Sequence, residues 1–252
     1  MLRVSLSMIV LPLLTACKTE EPIRQPIVPH GKQKIVAVID TGIAAPIFNN
    51  KTKYHICEHW HKDLTGDGII DTHGHGTNVS GLIDSGAKGS NYCQVIIKYY
   101  NPRSHDLDNM YRFVKAIQYA IDIHADYINI SGGGVRPSIE EMIVIERALN
   151  RGIKIISAAG NERSDLTNKT YYPAMYDDRI TVVGNGLNNV HHSLTSNYGA
   201  RVNEWRDGEN RIGFGITQTG TSQATAIYTG ELIKKDYEET LHVQHRRQNK
   251  SH

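Results

Sequence analysis

Neither sign of charge dominates this chain, and no internal repeat of the kind that builds solenoids runs through it. Its 28 basic side chains against 26 acidic ones leave a formal net charge of +2. Phosphate binding needs a concentrated basic surface, so composition gives no case for a nucleic-acid partner. The basic run His245, Arg246, Arg247 and Lys250 is short and reads as a solvated tail. Long apolar runs are missing too: none reaches the roughly 20 residues that a membrane-spanning helix requires. Cysteine is scarce, with three in 252 residues, which limits the possible covalent framework to a single pair once Cys17 is given another role below.

What remains is ordinary material for one globular core. With 39% of its side chains hydrophobic, a chain of this length can bury one substantial core, so a single domain is expected. The first residues look like a targeting segment. Arg3 precedes an apolar stretch from Val4 to Leu14 that is too short to cross a bilayer as a mature helix. Its end, Leu14, Thr15, Ala16, Cys17, resembles the lipobox of bacterial lipoproteins, in which cleavage leaves a lipid-modified cysteine first. That resemblance implies removal of residues 1–16 and a lipid anchor on Cys17. It also implies a place in the bacterial cell envelope, on the membrane and facing the periplasm or the exterior. Two acyl chains anchor stably where one binds marginally. Cys57 and Cys93 are then left in a disulfide-permissive setting, either paired or as two buried thiols.

From Lys18 to Gln33 the chain is polar and interrupted by Pro22, Pro26 and Pro29. That composition favours an extended tether, at most roughly 50 Å long. Beyond it, short β-branched runs alternate with segments of helical spacing, the pattern of a mostly parallel sheet covered by helices on both faces: an α/β fold. Strands are expected over Lys34–Ile39, Gln94–Tyr99, Tyr127–Ile130, Lys154–Ala158 and Ile180–Val183. Between the second and third, Met110, Phe113, Val114, Ile117 and Ile121 form one helical face over Asp108–Ile121. Between the third and fourth, Ser138 and Glu141 make a capping-box pattern, Met142, Ile145 and Leu149 continue a stripe, and Gly152 can end the helix. The resulting division is 17–33 tether, 34–240 folded domain and 241–252 polar tail. In such sheets ligands gather where strands end and loops begin.

Three polar residues stand at such places. Asp40 ends the first strand in Val-Ile-Asp-Thr-Gly. His75 lies in Gly-His-Gly-Thr-Asn-Val-Ser-Gly, whose glycines allow close backbone approach. Ser222 lies in Gly-Thr-Ser-Gln-Ala-Thr-Ala, at a tight entry into a helix, where a capping role is the plain alternative. Together, in the order Asp, His, Ser, they resemble the three active-site signatures of the subtilisin family, the subtilases or S8 peptidases. The resemblance runs from about Lys34 to about Gly230. It implies a three-layer subtilisin-like fold and a serine endopeptidase acting on extended polypeptide without a cofactor. The implied triad is Asp40, His75 and Ser222, with an oxyanion hole formed by the Asn161 side chain and the Ser222 N–H. Substrate would pair with the segment Ser131, Gly132, Gly133 and Gly134. The side-chain pocket would be lined by Ala158, Ala159 and Gly160 opposite Gly133 and Gly134, with room for a sizeable group.

Several residues depart from the family pattern. Gln223 stands where Met follows the serine, Ala226 replaces a Pro, and Arg201 to Phe214 carries Trp205, Arg206, Asp207 and Gly208 in place of the usual loop. A scaffold that binds peptide or a partner protein but hydrolyses it poorly is therefore the other reading. Only the tether separates Cys17 from the first strand, which leaves no room for the family's pro-domain and implies folding unaided or with a separate chaperone. Asp63, Thr65, Asp67, Gly68 and Asp71 resemble part of a calcium loop without its closing Glu, and the alternative is a turn feeding the His75 loop. His55, Cys57, His59 and His61 would share one face of a strand, yet their spacing fits no common zinc site. No metal ligands are assigned.

Overall fold

The computed structural model describes residues 32–248; the lipobox, Cys17 and most of the tether lie outside them. In chain order the elements are β1 (Lys34–Asp40), α1 (Ala45–Phe48), β2 (Lys62–Asp63), α2 (His75–Gly86), β3 (Tyr92–Lys98), α3 (Asp106–Asp122), β4 (Tyr127–Ile130) and α4 (Ile139–Asn150). They continue with β5 (Lys154–Ala158), β6 (Thr181–Asn185), β7 (Glu204–Arg206), β8 (Arg211–Gly213), β9 (Ile216–Gln218) and α5 (Thr221–Gln248). Seven strands form one sheet in the order β2-β3-β1-β4-β5-β6-β7, and every pair within it is parallel. β8 and β9 make a separate antiparallel hairpin.

The sheet separates two apolar layers because strand side chains alternate between faces. Ile35, Ala37 and Ile39 of β1 face Phe113, Ala116 and Ile117 of α3 and Ile145 and Ala148 of α4. Val36 and Val38 face Val79 and Ile83 of α2 and Ala224, Ala226 and Ile233 of α5. On that second face, α2 and α5 cross where Gly86 and Gly230 meet: a Cβ on Gly230 would stand 2.9 Å from the Gly86 Cα. That approach is closer than any side chain would permit. Ala226 is wholly buried in this layer and α5 runs through it unbroken, so the missing proline leaves the helix intact.

The expected helix start at Ser138 is half realised. Ser138 Oγ accepts from the Glu141 N–H at 3.3 Å. The return half of the box is replaced, because the Tyr176 hydroxyl accepts from the Ser138 N–H at 2.7 Å and donates to Glu141 at 2.9 Å. The α4 stripe also shifts. Val144, Ile145, Ala148 and Leu149 are buried while Met142 is exposed. Gly152 adopts a positive φ of 78° and its N–H bonds back to Leu149, closing the helix.

Cys57 and Cys93 form a disulfide that ties the start of β3 to the segment before β2, a sequence separation of 36. The four alternating residues do not lie on a strand. Lys51–Tyr54 is a short 3-10 turn, His55 takes a positive φ and bonds Asp84 at 2.6 Å, and Cys57 is consumed by the disulfide. His61 uses both ring nitrogens on backbone, Nε2 donating to Cys57 O and Nδ1 accepting from the Ile96 N–H. Burial lowers its pKa, consistent with that neutral ring.

Candidate active site

β1 is flanked by β3 on one side and β4 on the other, and the chain winds outward in opposite directions from that pair. The crevice beyond the carboxyl ends of β1 and β4 is therefore the switch point of the sheet. A cleft of about 340 Å³ opens there, bordered by Asp40, His75, Ser131, Asn161, Tyr171 and Ser222. Asp40, His75, Ser131, Asn161 and Ser222, all named from the sequence, thus meet at one place, although five separate segments supply them.

Asp40 is the last residue of β1 and is 4% exposed. Its Oδ1 accepts from the Thr41 N–H at 2.7 Å and from His75 Nδ1 at 2.8 Å. His75 opens α2, and its pKa is set by opposed effects: burial works against the charged ring, but the Asp40 charge and hydrogen bond, with Asp71 adding to them, raise it overall. With Nδ1 protonated toward Asp40, Nε2 is the basic nitrogen.

The residue that builds this arm is Asp71, which in the sequence falls within the calcium-like turn. Its carboxylate accepts from the backbone of His73, Gly74 and Thr77 and from the hydroxyls of Thr41 and Thr77. Burial opposes its charge, yet these bonds hold its pKa below the ordinary carboxylate value. Thr41 Oγ1 in turn accepts from the Gly76 N–H at 2.9 Å. Asp71 therefore shapes the loop that delivers His75. The signal available in the sequence was its position four residues before His75, between two glycine-containing turns.

The remainder of that turn surrounds an ammonium group. Lys98, at the end of β3 and almost wholly buried, places Nζ 2.7 Å from Asp67, 2.9 Å from Gly68 O and 2.8 Å from Ile70 O. Asp63 accepts from the N–H groups of Thr65, Gly66 and Gly68. Among the described residues, no group of three or more His, Cys, Asp or Glu is arranged to hold a metal ion.

Ser222 lies in the first turn of α5, where backbone N–H groups lack helical acceptors and the helix presents its positive end. Its hydroxyl donates to Ser131 O at 2.8 Å, and Ser131 Oγ donates to Ser222 O at 3.2 Å. Asn129 of β4 bonds Ser131 Oγ and receives a bond from Thr229 of α5, so the nucleophile segment is laced to the end of β4. Asn161 Oδ1 accepts from the N–H and the hydroxyl of Thr221, both at 2.9 Å. A backbone N–H can only donate, which fixes the amide orientation and turns the NH₂ group away from Thr221.

The unusual residue after the serine has partners. Gln223 Nε2 donates to Asn78 Oδ1 at 2.9 Å and to Gln218 at 3.1 Å. Asn78 Nδ2 donates to the carbonyls of Arg211 and Ile216. Gln223 and Asn78 are buried, so an amide chain links α5, α2 and the β8–β9 hairpin. The altered 201–214 segment contributes the first strand of that hairpin, and it also places Gly208 O as acceptor for the Gly220 N–H. Thus the region that departs from the expected pattern buttresses the start of α5.

One expectation is corrected. Ala158 and Gly133 do border the cleft, but the room beside Gly133 and Gly160 is narrowed by the ring of Tyr171. A Cβ on Gly133 would come within 2.7 Å of Tyr171 Cε1, and one on Gly160 within 2.8 Å of Tyr171 Cε2. Asn197 holds the 159–164 wall in place, donating to Ala159 O and accepting from the N–H groups of Glu162 and Ser164. Gly134 and Tyr172 exchange backbone hydrogen bonds at 2.9 and 2.7 Å.

A family model, that of the subtilase family (peptidase S8), matches residues 31–239. A subtilisin-like serine protease of Rhodotorula mucilaginosa is 30% identical over 207 residues, covering 77% of this chain and 56% of the relative. The major intracellular serine protease of Bacillus subtilis (strain 168) is 30% identical over 230 residues, 83% of this chain and 70% of the relative. The chain thus spans between about half and seven tenths of the length of such relatives. Among solved structures, the epidermin leader peptide processing serine protease of Staphylococcus aureus superposes with a TM-score of 0.71 at 20% identity, over 84% of this chain and 67% of that one. A cold-adapted subtilisin-like serine proteinase gives 0.64 at 24% identity, over 80% and 75%. These likenesses establish the three-layer subtilisin-like fold.

Proposed function

The chain belongs to the subtilase family, and from that membership we propose that it is a serine endopeptidase whose triad is Asp40, His75 and Ser222. The observation that carries the reading is the 2.8 Å pairing of His75 Nδ1 with Asp40 in the same cleft as Ser222 and Asn161. Amide hydrolysis needs a stronger nucleophile than a neutral hydroxyl, and the basic Nε2 of His75 supplies it by taking the Ser222 proton during attack. The hydroxyl must first leave the Ser131 carbonyl and turn toward the imidazole. Attack forms the Ser222 Oγ–carbonyl bond and puts negative charge on the former carbonyl oxygen. The Asn161 NH₂ and the Ser222 N–H then donate to that oxygen, a contribution of roughly 2.7 to 4 kcal/mol for one such donor.

Collapse of this intermediate breaks the C–N bond, His75 gives its proton to the leaving amine, and an acyl group remains on Ser222. Water, deprotonated by His75, completes the cycle. Every proton in this sequence is handled by side chains of the cleft, and no cofactor is invoked. The polypeptide substrate lies extended beside Ser131 to Gly133, whose main chain offers strand-like pairing, while Gly134 is already paired with Tyr172. For placement in the cell we propose the lipid anchor on Cys17 and a position on the envelope membrane outside the cytoplasm, supported by Arg3, the apolar stretch and the Leu14-Thr15-Ala16-Cys17 match. Among the described residues, no helix is long and apolar enough to cross a membrane.

The test is digestion of a fluorescently labelled, unfolded protein by residues 18–252. Wild type is expected to release peptides and Ser222→Ala to release none. Binding of the substrate by both proteins with cleavage by neither would favour the peptide-binding reading instead.

A further inference from the structure

Two glycines, Gly133 and Gly160, face each other across the slot beside Ser222, and in an open pocket both would leave space for a substrate side chain. Here one aromatic ring bridges them, with opposite edges of Tyr171 close to the two backbones. Tyr171 is only 6% exposed and yet borders the cleft, so what it shows to solvent is the floor of the slot. Its position is held on either side. The exchanged hydrogen bonds between Tyr172 and Gly134 fix the following residue, and Asn197 braces the opposite wall. Tyr99 closes in from the sheet, its hydroxyl 3.1 Å from where a Cβ on Gly132 would stand. Close-packed interiors do not yield a ring-sized volume without cost.

Resting on the peptidase reading above, we propose that Tyr171 sets the specificity of the cleft by filling the pocket for the residue that donates the scissile carbonyl. The slot then admits glycine, alanine or serine at that position and rejects phenylalanine, leucine and tyrosine. The ring shares the room beside the two glycines with other groups, since a Cβ would also meet Tyr172 O at Gly133 and the Asn197 and Glu162 side chains at Gly160. Tyr171 touches the substrate side chain without contacting the reacting atoms, so its substitution redistributes cleavage sites while leaving the nucleophile reactive.

The experiment digests a proteome-derived peptide library with residues 18–252 and maps the cleaved bonds by mass spectrometry, with fluorophosphonate labelling of Ser222 run on every protein. Wild type is expected to cut after Gly, Ala or Ser. Tyr171→Gly and Tyr171→Ala are expected to gain cleavage after Phe and Leu, shifting their kcat/KM relative to Ala by about 100-fold. Tyr171→Phe, which keeps the ring, should retain the wild-type pattern. Wild type that cuts after Phe or Leu as readily as after Ala overturns the inference and leaves the peptidase reading standing, even if the variants fail to fold. Opened variants that are labelled but keep the small-residue pattern overturn it as well. A folded wild type that neither takes the label nor cuts any peptide overturns the peptidase reading itself and takes this inference with it.

Discussion

The two arms of the cleft are built by different means. On the base side, Asp71 gathers three backbone N–H groups and two hydroxyls so that His75 arrives already bonded to Asp40. On the nucleophile side, Ser222 bonds the Ser131 carbonyl, and its helix start rests on the buried pair Asn78 and Gln223, which reaches out to the half-buried Gln218. The first arm is rigid through one many-handed carboxylate that ties its own loop to the start of α2 and to the end of β1. The second depends on agreement between α2, α5 and a hairpin far apart in sequence. Sequence motifs report the reacting residue of each arm, Asp40, His75 and Ser222, and report poorly what braces them, Asp71 in the first arm and Asn78 and Gln223 in the second.

The comparison can be broken most sharply at Asp40. Asp40→Asn preserves shape but favours the wrong imidazole tautomer, and kcat should fall by about 10⁴-fold while the melting temperature hardly moves. That split is readable by steady-state kinetics beside thermal unfolding. A loss of less than tenfold would mean that His75 needs no partner.

Next in size is the covalent tie under the base arm. Replacing Cys57 and Cys93 by Ala should cost roughly 4 kcal/mol, the loop-closure value for 36 residues. Urea unfolding would show it as a lower midpoint with a somewhat steeper slope, because the uncrosslinked denatured chain exposes more surface, and labelling of Ser222 in the surviving folded protein should persist.

Asp71→Asn should come third, at about 2 kcal/mol from weakened charge-assisted bonds. Its pH signature is directional. The Asp71 pKa is lowered in the fold, so its stabilisation is present above the unfolded carboxylate value. It is lost as pH falls through the lower folded value. Wild type and variant should therefore converge in stability in acid, and a constant gap down to pH 2 would contradict the assignment.

The smallest effect is expected at the nucleophile arm. Gln223→Leu strands Asn78 Oδ1 in the core and should cost about 1 to 2 kcal/mol, with an Asn78→Ala, Gln223→Leu double-mutant cycle showing coupling. Additive losses would show that the amide chain carries no shared energy.

Much of the frame was legible. Tyr127–Ile130 and Lys154–Ala158 lie where expected because strands buried on both faces read as unbroken β-branched runs. β7, β8 and β9, at three residues each, are too short for any period to register. The triad candidates were legible from their positions at element ends. Lys98 was not connected with the acidic turn, since the contact joins β3 to a loop about 30 positions earlier. Tyr171 was missed for the same reason. Small residues on two walls suggested space, and the ring that occupies it comes from a third segment.

The central claim, that these residues form a working triad, is tested most directly by the rate at which a fluorophosphonate labels Ser222 as pH is varied. The raised pKa of His75 has opposite consequences for folding and chemistry. The stabilisation from its protonated form is complete below 6.5 and lost as pH rises through the folded value, whereas the base works only once neutral. The account predicts a labelling rate that climbs with pH through a midpoint above 6.5 and is abolished by His75→Ala. A folded protein whose Ser222 is unlabelled at every pH, or labelled equally without His75, would contradict it.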